Sequence, residues 1–162
     1  MINAQLINNN ADWLDVLGPK IKVLTPTDSQ DDDYSVLLAT IGPGVAIPLH
    51  SHQDRETFYI LAGVVQGFVD GEWQELNQGG VLDIKNGKDH AWRNVSDQEA
   101  SILIVTTNKM KDFFLEIGKP PSDTFAPPAP EDMANLFTAA QRYGYQLASP
   151  EQNAAIGLVL PF

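Results

Sequence analysis

The chain has 162 residues, of which 43% are apolar, and a formal net charge of −11 from 21 acidic and 10 basic residues. That length fits one domain with a sizeable core. No apolar run approaches the roughly 20 residues of a membrane-spanning helix, and a field of this sign repels phosphate backbones, so we expect neither a membrane nor a nucleic-acid partner. The absence of cysteine leaves imidazole and oxygen as the ligands for any transition metal. The first residues lack the basic and then apolar pattern of a secretory signal, so a cytoplasmic location is expected.

The first predicted element is a short helix followed by a polar loop. Asn10 is the predicted N-cap of this helix, and Gly18 with Pro19 would end it. Its apolar face consists of Trp13, Val16 and Leu17. The loop over residues 25–33 ends in three consecutive aspartates. A calcium loop alternates its ligands and needs a turn glycine that is missing here, so we interpret the aspartates as a solvated turn.

Short β-rich runs separated by turn residues occupy residues 34–107. Asp70 and Gly71 predict a hairpin turn within this region, because both residue types tolerate the positive φ of a type I′ turn. Short strands at this spacing predict an antiparallel barrel or sandwich. The predicted strands cover residues 34–41, 56–61, 64–69, 81–84, 90–94 and 100–106.

Two helical segments joined by a proline-rich strap are predicted after the strands. Residues 109–117 predict one or two helical turns, and the five prolines within 120–130 predict an extended strap. Apolar residues spaced i, i+3, i+4 and i+7 predict a helix over 130–143, with Gly144 as its stop. We expect its apolar face to pack on the barrel or on a second subunit, and the apolar tail at 157–162 to dock similarly. That helical face consists of Met133, Leu136, Phe137 and Ala140.

All three histidines of the chain lie in two segments, 44–63 and 79–94. His50 and His52 are two residues apart, so on a strand both imidazoles point to the same face. Glu56 follows four residues later, and His90 comes from the second segment. An isolated His-x-His is more often a surface feature, but the glutamate spacing and the second segment favour a metal site. Three imidazoles and a carboxylate suit one divalent ion of iron, manganese, nickel, cobalt, copper or zinc, with two positions of a six-coordinate ion left open.

The two segments resemble the paired motifs of the cupin superfamily. The first motif, G-x5-H-x-H-x3-E-x6-G, is matched at every fixed position from Gly44 to Gly63. The second, G-x5-P-x-G-x2-H-x3-N, is matched from Gly79 to Asn94 except that Lys85 replaces the proline, which weakens a turn preference but changes no ligand. The resemblance covers residues 34–107.

This resemblance implies an all-β fold, the double-stranded β-helix or jelly roll, with the short N-terminal helix and a C-terminal helical extension added to it. The whole chain, 1–162, is then a single cupin domain with its barrel at 34–107 and its strap and helix at 108–162. The metal ligands that it implies are His50, His52, Glu56 and His90, all facing the barrel interior.

Strand alternation around these ligands proposes a substrate pocket. Phe58 and Ile60 share the face of Glu56, and Trp92 shares the face of His90, so an apolar wall beside the metal follows if the strands are regular. Core packing is an equally open interpretation of Phe58 and Trp92.

Within the superfamily the chain resembles quercetinase-like single-domain cupins. The leading interpretation is therefore a metal-dependent dioxygenase acting on an aromatic or enolic small molecule, with Glu56 as the catalytic general base. Two other classes stay open: an isomerase or decarboxylase that uses the metal as a Lewis acid, and a non-enzymatic ligand-binding cupin. Because cupins commonly pair through edge strands and helices, we expect a homodimer.

Overall fold

The computed structural model describes residues 11–27, 34–124 and 126–160, so the predicted cap Asn10 and part of the aspartate loop lie outside the described residues. Within these ranges the chain forms eleven strands and three helices. The strands are β1 Leu14–Asp15, β2 Lys20–Val23, β3 Tyr34–Ile41, β4 Ala46–Ser51, β5 Glu56–Ala62, β6 Val65–Val69, β7 Glu72–Leu76, β8 Val81–Ile84, β9 His90–Arg93, β10 Ala100–Thr107 and β11 Gln146–Leu147. The helices are α1 Asn108–Ile117, α2 Pro130–Tyr143 and α3 Pro150–Ala155.

The strands form two antiparallel sheets, which confirms the predicted all-β jelly roll. One sheet has the order β1-β2-β3-β10-β5-β8 and the other β11-β4-β9-β6-β7. Alternate residues of β3 and β10 are buried, so each strand turns one apolar face into the core. The sheets extend beyond the predicted range of 34–107, because β2 pairs with β3 and β11 pairs with β4.

The hairpin between β6 and β7 has the predicted turn. Asp70 and Gly71 have φ values of 53° and 85°, as a type I′ turn requires. Gly67 in β6 is needed for packing rather than for a turn, because it lies opposite Trp92 in the β6–β9 register. A Cβ at position 67 would lie 2.8 Å from Leu82 Cδ2 and 3.1 Å from Trp92 Cζ3. The glycine therefore leaves room for the indole that fills the space between the sheets.

The predicted N-terminal helix is wrong over its described residues. Leu14–Asp15 instead forms β1, which pairs with β2. Leu17 and Gly18 have φ values of 64° and 128°, outside any right-handed helix, and the Val16 amide donates to the Pro19 carbonyl at 2.8 Å to close the turn. Three apolar residues at helical spacing are a weak signal, and pairing with the half-buried β2 outweighs it.

The predicted C-terminal helices are confirmed. Helix α2 ends at Gly144, whose φ is 76°, and the amide of Tyr145 donates to the Ala140 carbonyl at 2.8 Å, which completes a Schellman cap. The helix packs on α1 through small residues, with Ala139 and Ala140 each 2% exposed. That contact differs from the predicted apolar face, because it leaves Phe137 55% exposed.

The segment after α2 lies against the second sheet. Strand β11 pairs with β4, and the Ala148 amide donates to the Leu49 carbonyl at 3.0 Å. Leu158 is buried against Leu49 and Ala91, so this part of the apolar tail docks as predicted. Within the described ranges no helix is both long and apolar enough to cross a membrane.

Candidate metal centre

The three histidines come together although they belong to different parts of the chain. His50 near the end of β4 is paired with His90 at the start of β9, and their ring centroids are 4.1 Å apart. His52 lies just after β4, with its ring centroid 4.9 Å from that of His90. The ligand nitrogens of all three lie within 4.8 Å of one another, close enough to share one metal ion.

The backbone sets the orientation of each imidazole. In every case Nδ1 lies within hydrogen-bonding distance of a main-chain carbonyl, which can only accept, so Nδ1 carries the proton and Nε2 keeps its lone pair. The Nε2 atoms of His52 and His90 are buried and have no hydrogen-bond partner among the described residues. Free buried lone pairs of this kind are what a metal requires of its ligands. The accepting carbonyls are those of Pro48 for His50 at 2.7 Å, Asp54 for His52 at 2.9 Å and Lys88 for His90 at 2.8 Å.

Glu56 places a buried carboxylate against two of these rings. Its Oε2 lies 3.3 Å from Nε2 of His52 and 3.3 Å from Nε2 of His90. Burial by itself raises the pKa of Glu56, but the contacts with the two imidazoles outweigh it and lower the pKa from 4.5 to about 2. Glu56 is therefore a carboxylate at neutral pH.

The pKa values of two histidines respond to their surroundings in opposite directions. Burial, and then the neighbouring His90, lower the pKa of His50 from 6.5 to about 3, so this imidazole is neutral at pH 7. Burial also lowers the pKa of His52, but the contact with the Glu56 carboxylate and its negative charge outweigh burial and raise the pKa above 6.5. A cation between Glu56 and His52 would take the place of that proton.

This donor set fits a divalent transition metal. Three clustered imidazoles, two of them with unpartnered buried Nε2 atoms, and one buried carboxylate match the preferences of such ions, with no soft thiolate ligand available. The structure thus brings together the four residues that the sequence singled out. Their role as metal ligands stays a prediction, namely that of His50, His52, Glu56 and His90.

The predicted pocket residues lie in the buried core beside the centre. Phe58 is 6% exposed, Ile60 is fully buried and Trp92 is 2% exposed. The rings of Phe58 and Trp92 are in contact, with centroids 4.5 Å apart. All three residues share the inward faces of β5 and β9 with Glu56 and His90, as alternation predicted. Their contact with a substrate stays a prediction.

Tyr145, which the sequence interpretation missed, lies beside the centre. Its ring centroid lies 5.2 Å from that of His52 and 4.8 Å from that of Phe113. The residue is 6% exposed, and its hydroxyl has no hydrogen-bond partner among the described residues. Burial raises the pKa of Tyr145, and the nearby charges of Asp54 and Glu56 raise it further. Gly144 was the available signal, because the residue after a Schellman glycine commonly packs back onto its helix.

Asp54 and Thr107 were also missed, and they connect the ligand loop to α1. Asp54 lies between His52 and Glu56, is 6% exposed, and its Oδ1 accepts a hydrogen bond from the Thr107 hydroxyl. The same hydroxyl accepts a hydrogen bond from the Met110 amide at 3.1 Å as the N-cap of α1. The start of the C-terminal extension therefore holds the loop that carries two of the candidate ligands.

Asn153 supports the strand of His50 from the far end of the chain. The register pairs between β11 and β4 end at Leu147 and His50, so the Leu49 amide lies one residue beyond that ladder. The Asn153 side chain accepts from this amide at 2.8 Å and donates to the carbonyls of Ala148 and Ser149 at 3.3 and 3.0 Å. Asn153 is 1% exposed, so these bonds are formed inside the protein.

The second motif ends in a residue with a structural task. Asn94 is 1% exposed and its amide group donates to the carbonyls of Ile41 and Gln98 at 2.8 and 2.7 Å. Its carbonyl oxygen accepts from the Ser96 amide at 2.9 Å. Asn94 thereby fixes the turn after β9, the strand on which His90 lies.

Comparisons with known proteins agree with this architecture. Residues 37–106 match the family described as Cupin domain. Quercetin 2,3-dioxygenase of Bacillus subtilis (strain 168) is 29% identical to the chain over 109 residues, which cover 66% of this chain and 32% of that protein. The chain therefore spans only 32% of the length of that curated relative.

Solved structures share the fold at low sequence identity. KdgF from Halomonas sp. superposes with a TM-score of 0.55 at 18% identity, covering 65% of this chain and 94% of that chain. A predicted oxalate decarboxylase from Thermotoga maritima superposes with a TM-score of 0.57 at 17% identity, covering 64% of this chain and 98% of that chain. The domain boundaries at 1 and 162 stay a prediction, since the family match covers only residues 37–106. The match of residues 37–106 to the Cupin domain family, the two motifs and the paired antiparallel sheets together identify a cupin-like barrel in this chain.

Proposed function

We propose that the protein is a metal-dependent cupin dioxygenase that acts on an aromatic or enolic small molecule. The observation that carries this proposal is the convergence of His50, His52 and His90, with their ligand nitrogens within 4.8 Å, beside the buried carboxylate of Glu56. The 29% identity to a quercetin 2,3-dioxygenase supports oxygenation among the reactions that such a centre could perform. Fold similarity alone would not choose the reaction.

In this proposal the three histidines and Glu56 hold one divalent ion of iron, manganese, nickel, cobalt, copper or zinc. When bound, the ion supplies a Lewis acid that stabilises the deprotonated hydroxyl of the substrate. The hydrogen bonds from each Nδ1 to the backbone keep the three Nε2 atoms aimed at one point. The three histidines would hold the ion without moving a proton themselves.

Glu56 is the proposed general base. It accepts the hydroxyl proton of the substrate at a carboxylate oxygen. While Oε2 stays 3.3 Å from both His52 and His90, the carboxylate is a weak base, so proton transfer requires it to turn away from the imidazoles. Phe58, Ile60 and Trp92 would then form the dry apolar wall of the site and keep water from the reacting carbon.

Metal analysis and oxygen uptake test this proposal together. Protein purified without chelators should contain about one transition ion per chain, and His90→Ala should lose most of it. The loaded protein should consume oxygen with a panel of flavonols and enolised diketones, and Glu56→Gln should lose this activity while keeping measurable metal. Turnover of a small acid or sugar without oxygen uptake would refute the dioxygenase in favour of a decarboxylase or isomerase. Ligand binding without any turnover would refute the enzyme.

The predicted homodimer and cytoplasmic location belong to the same proposal. Apolar side chains on the outer face of the six-stranded sheet support pairing of two copies, since cross-strand neighbours Tyr59 and Val81 are 42% and 58% exposed and nearby Val105 is 38% exposed. Light scattering on the purified protein tests the dimer, and the mass of a single chain at micromolar concentration would contradict it.

A further inference from the structure

The Tyr145 side chain combines full burial with an unused polar group. The residue is 6% exposed, yet its hydroxyl has no hydrogen-bond partner among the described residues. Buried hydroxyl groups in folded proteins nearly always have a partner, because removing one from water without compensation is costly. The neighbouring Tyr143 lies in the same aromatic cluster, 5.7 Å away between ring centroids, and its hydroxyl is not among the unpartnered buried atoms.

The surroundings of Tyr145 are those of the candidate metal centre. Its ring contacts the His52 ring at 5.2 Å between centroids, and the charges of Asp54 and Glu56 both act on its hydroxyl. Four of the five buried side-chain polar atoms that lack a partner in the described residues belong to this neighbourhood. They are His52 Nε2, His90 Nε2, Asp54 Oδ2 and the Tyr145 hydroxyl.

The C-terminal extension positions this side chain through several contacts. Tyr145 follows the Gly144 cap, and its amide bonds to the Ala140 carbonyl at 2.8 Å. The next two residues form β11, which pairs with β4 so that Leu147 lies opposite His50. Phe113 of α1 contacts the ring at 4.8 Å between centroids. The position of the hydroxyl is therefore tied to the strand that carries a candidate ligand.

We propose that the Tyr145 hydroxyl donates a hydrogen bond to the oxygen atom of the ligand bound at the metal centre, so that the C-terminal extension contributes a substrate-positioning residue to the barrel. This inference rests on the proposed metal centre, and the ligand class is an anionic oxygen donor such as an enolate, a phenolate or a hydroxamate. A phenol is protonated at neutral pH, so it donates a hydrogen bond. That hydrogen bond becomes stronger as negative charge develops on the acceptor oxygen.

The alternative partner for this hydroxyl is the free Oδ2 of Asp54. The other carboxylate oxygen of Asp54 already accepts a hydrogen bond from Thr107. The Asp54 carboxylate already lies near enough to raise the pKa of Tyr145, so a small movement would complete a bond to Oδ2, and the hydroxyl would then serve the fold alone. Ligand affinity and thermal stability separate these two roles, because a purely structural bond affects stability but not the binding of an anion to the metal.

The experiment uses the cobalt(II)-loaded full chain and acetohydroxamate, a chelating oxygen anion, as probe. Tyr145→Phe removes only the hydroxyl, and Tyr143→Phe is the matched control in the same aromatic cluster. Cobalt content, melting temperature and the probe dissociation constant, read from the cobalt d–d absorption, are measured for all three proteins. We expect Tyr145→Phe to keep its cobalt and to bind the probe about tenfold more weakly, the size of one hydrogen bond to a charged acceptor. The probe dissociation constant of Tyr143→Phe should stay within about twofold of the wild-type value, which is the variation that a neutral substitution produces.

Two results would overturn the inference. One is an unchanged probe affinity in Tyr145→Phe, with or without a lower melting temperature, since it assigns the hydroxyl to Asp54 and the fold. The other is a wild-type protein that binds no stoichiometric cobalt, which also removes the metal centre. Failure of the dioxygenase proposal is distinct from both: cobalt and hydroxamate binding that depends on Tyr145 would persist in a protein with no oxygen uptake on any substrate.

Discussion

Replacing Asn153 with alanine is expected to weaken the candidate metal centre from a distance in sequence. Its side-chain oxygen accepts from the Leu49 amide at 2.8 Å, across 104 residues of chain. That amide lies one residue beyond the last register pair between β11 and β4, Leu147 with His50. Asn153→Ala therefore leaves a buried N–H group unsatisfied directly before His50.

The expected magnitude follows from the bonds that are lost. An unsatisfied buried donor costs about 1–3 kcal/mol. The two bonds that Asn153 donates to Ala148 and Ser149 add about 0.5–1.5 kcal/mol each, with the longer one at 3.3 Å contributing least. A loss of roughly 2–5 kcal/mol corresponds to a fall of about 4–20 °C in melting temperature for a domain of this size. Because Leu49 directly precedes His50 and groups that orient a metal ligand affect metal affinity, we also expect a metal dissociation constant about 10–100 times higher.

Thermal melts and metal titrations of wild type and Asn153→Ala measure both effects, with Asn135→Ala as the control. Asn135 is an exposed asparagine of α2, so its replacement should change the melting temperature by less than about 2 °C. The reasoning is refuted if Asn153→Ala has the same melting temperature as wild type, or if Asn135→Ala loses as much stability as Asn153→Ala. An unchanged metal affinity in a destabilised Asn153→Ala would refute only the link between Leu49 and His50.

Three further outcomes are expected. Adding a transition metal at about 100 times its dissociation constant to chelator-treated protein should stabilise it by about 2.7 kcal/mol in thermal melts, and an equal shift in His90→Ala would contradict the ligand assignment. Gly67→Ala should lower the free energy of unfolding in urea by about 1–3 kcal/mol, since its Cβ would lie 2.8 Å from Leu82 Cδ2. Gly42→Ala, whose Cβ would meet only an ordinary 3.7 Å contact, is its control, and equal losses would refute the packing argument. Thr107→Val should cost about 1–3 kcal/mol in the same assay through the lost helix cap and the lost bond to a buried carboxylate, and a wild-type urea midpoint would contradict it.

The candidate metal centre was largely predictable because its spacing is local. A strand places residues two apart on one face, which aimed His50 and His52 together before any fold was known. The hairpin turn at Asp70 and Gly71 was predictable for the same reason, since positive φ is a property of single residues. Helix α2 followed from its apolar spacing and its glycine stop.

The N-terminal segment shows where local patterns were insufficient. Three apolar residues at helical spacing, with a Gly-Pro stop, described a plausible helix, yet the chain forms β1 and a turn closed by the bond from Val16 to Pro19. Strand β1 pairs with β2, and β2 pairs with β3 of the six-stranded sheet. Such pairing depends on strands elsewhere in the chain, which a short stretch of sequence does not contain. Phe137 was misplaced similarly, since the approach of α1 selected the face of α2 that is buried.

By itself, the sequence determined the class of fold, the position of the candidate centre and the four side chains that form it, because strand alternation and turn chemistry act over a few residues. Only the tertiary structure decided what surrounds that centre. Tyr145 meets His52, Asn153 meets Leu49 and Thr107 meets Asp54 across 93, 104 and 53 residues of chain, as their positions and hydrogen bonds show. Such contacts depend on the path of the whole chain, and no periodicity within one element specifies them.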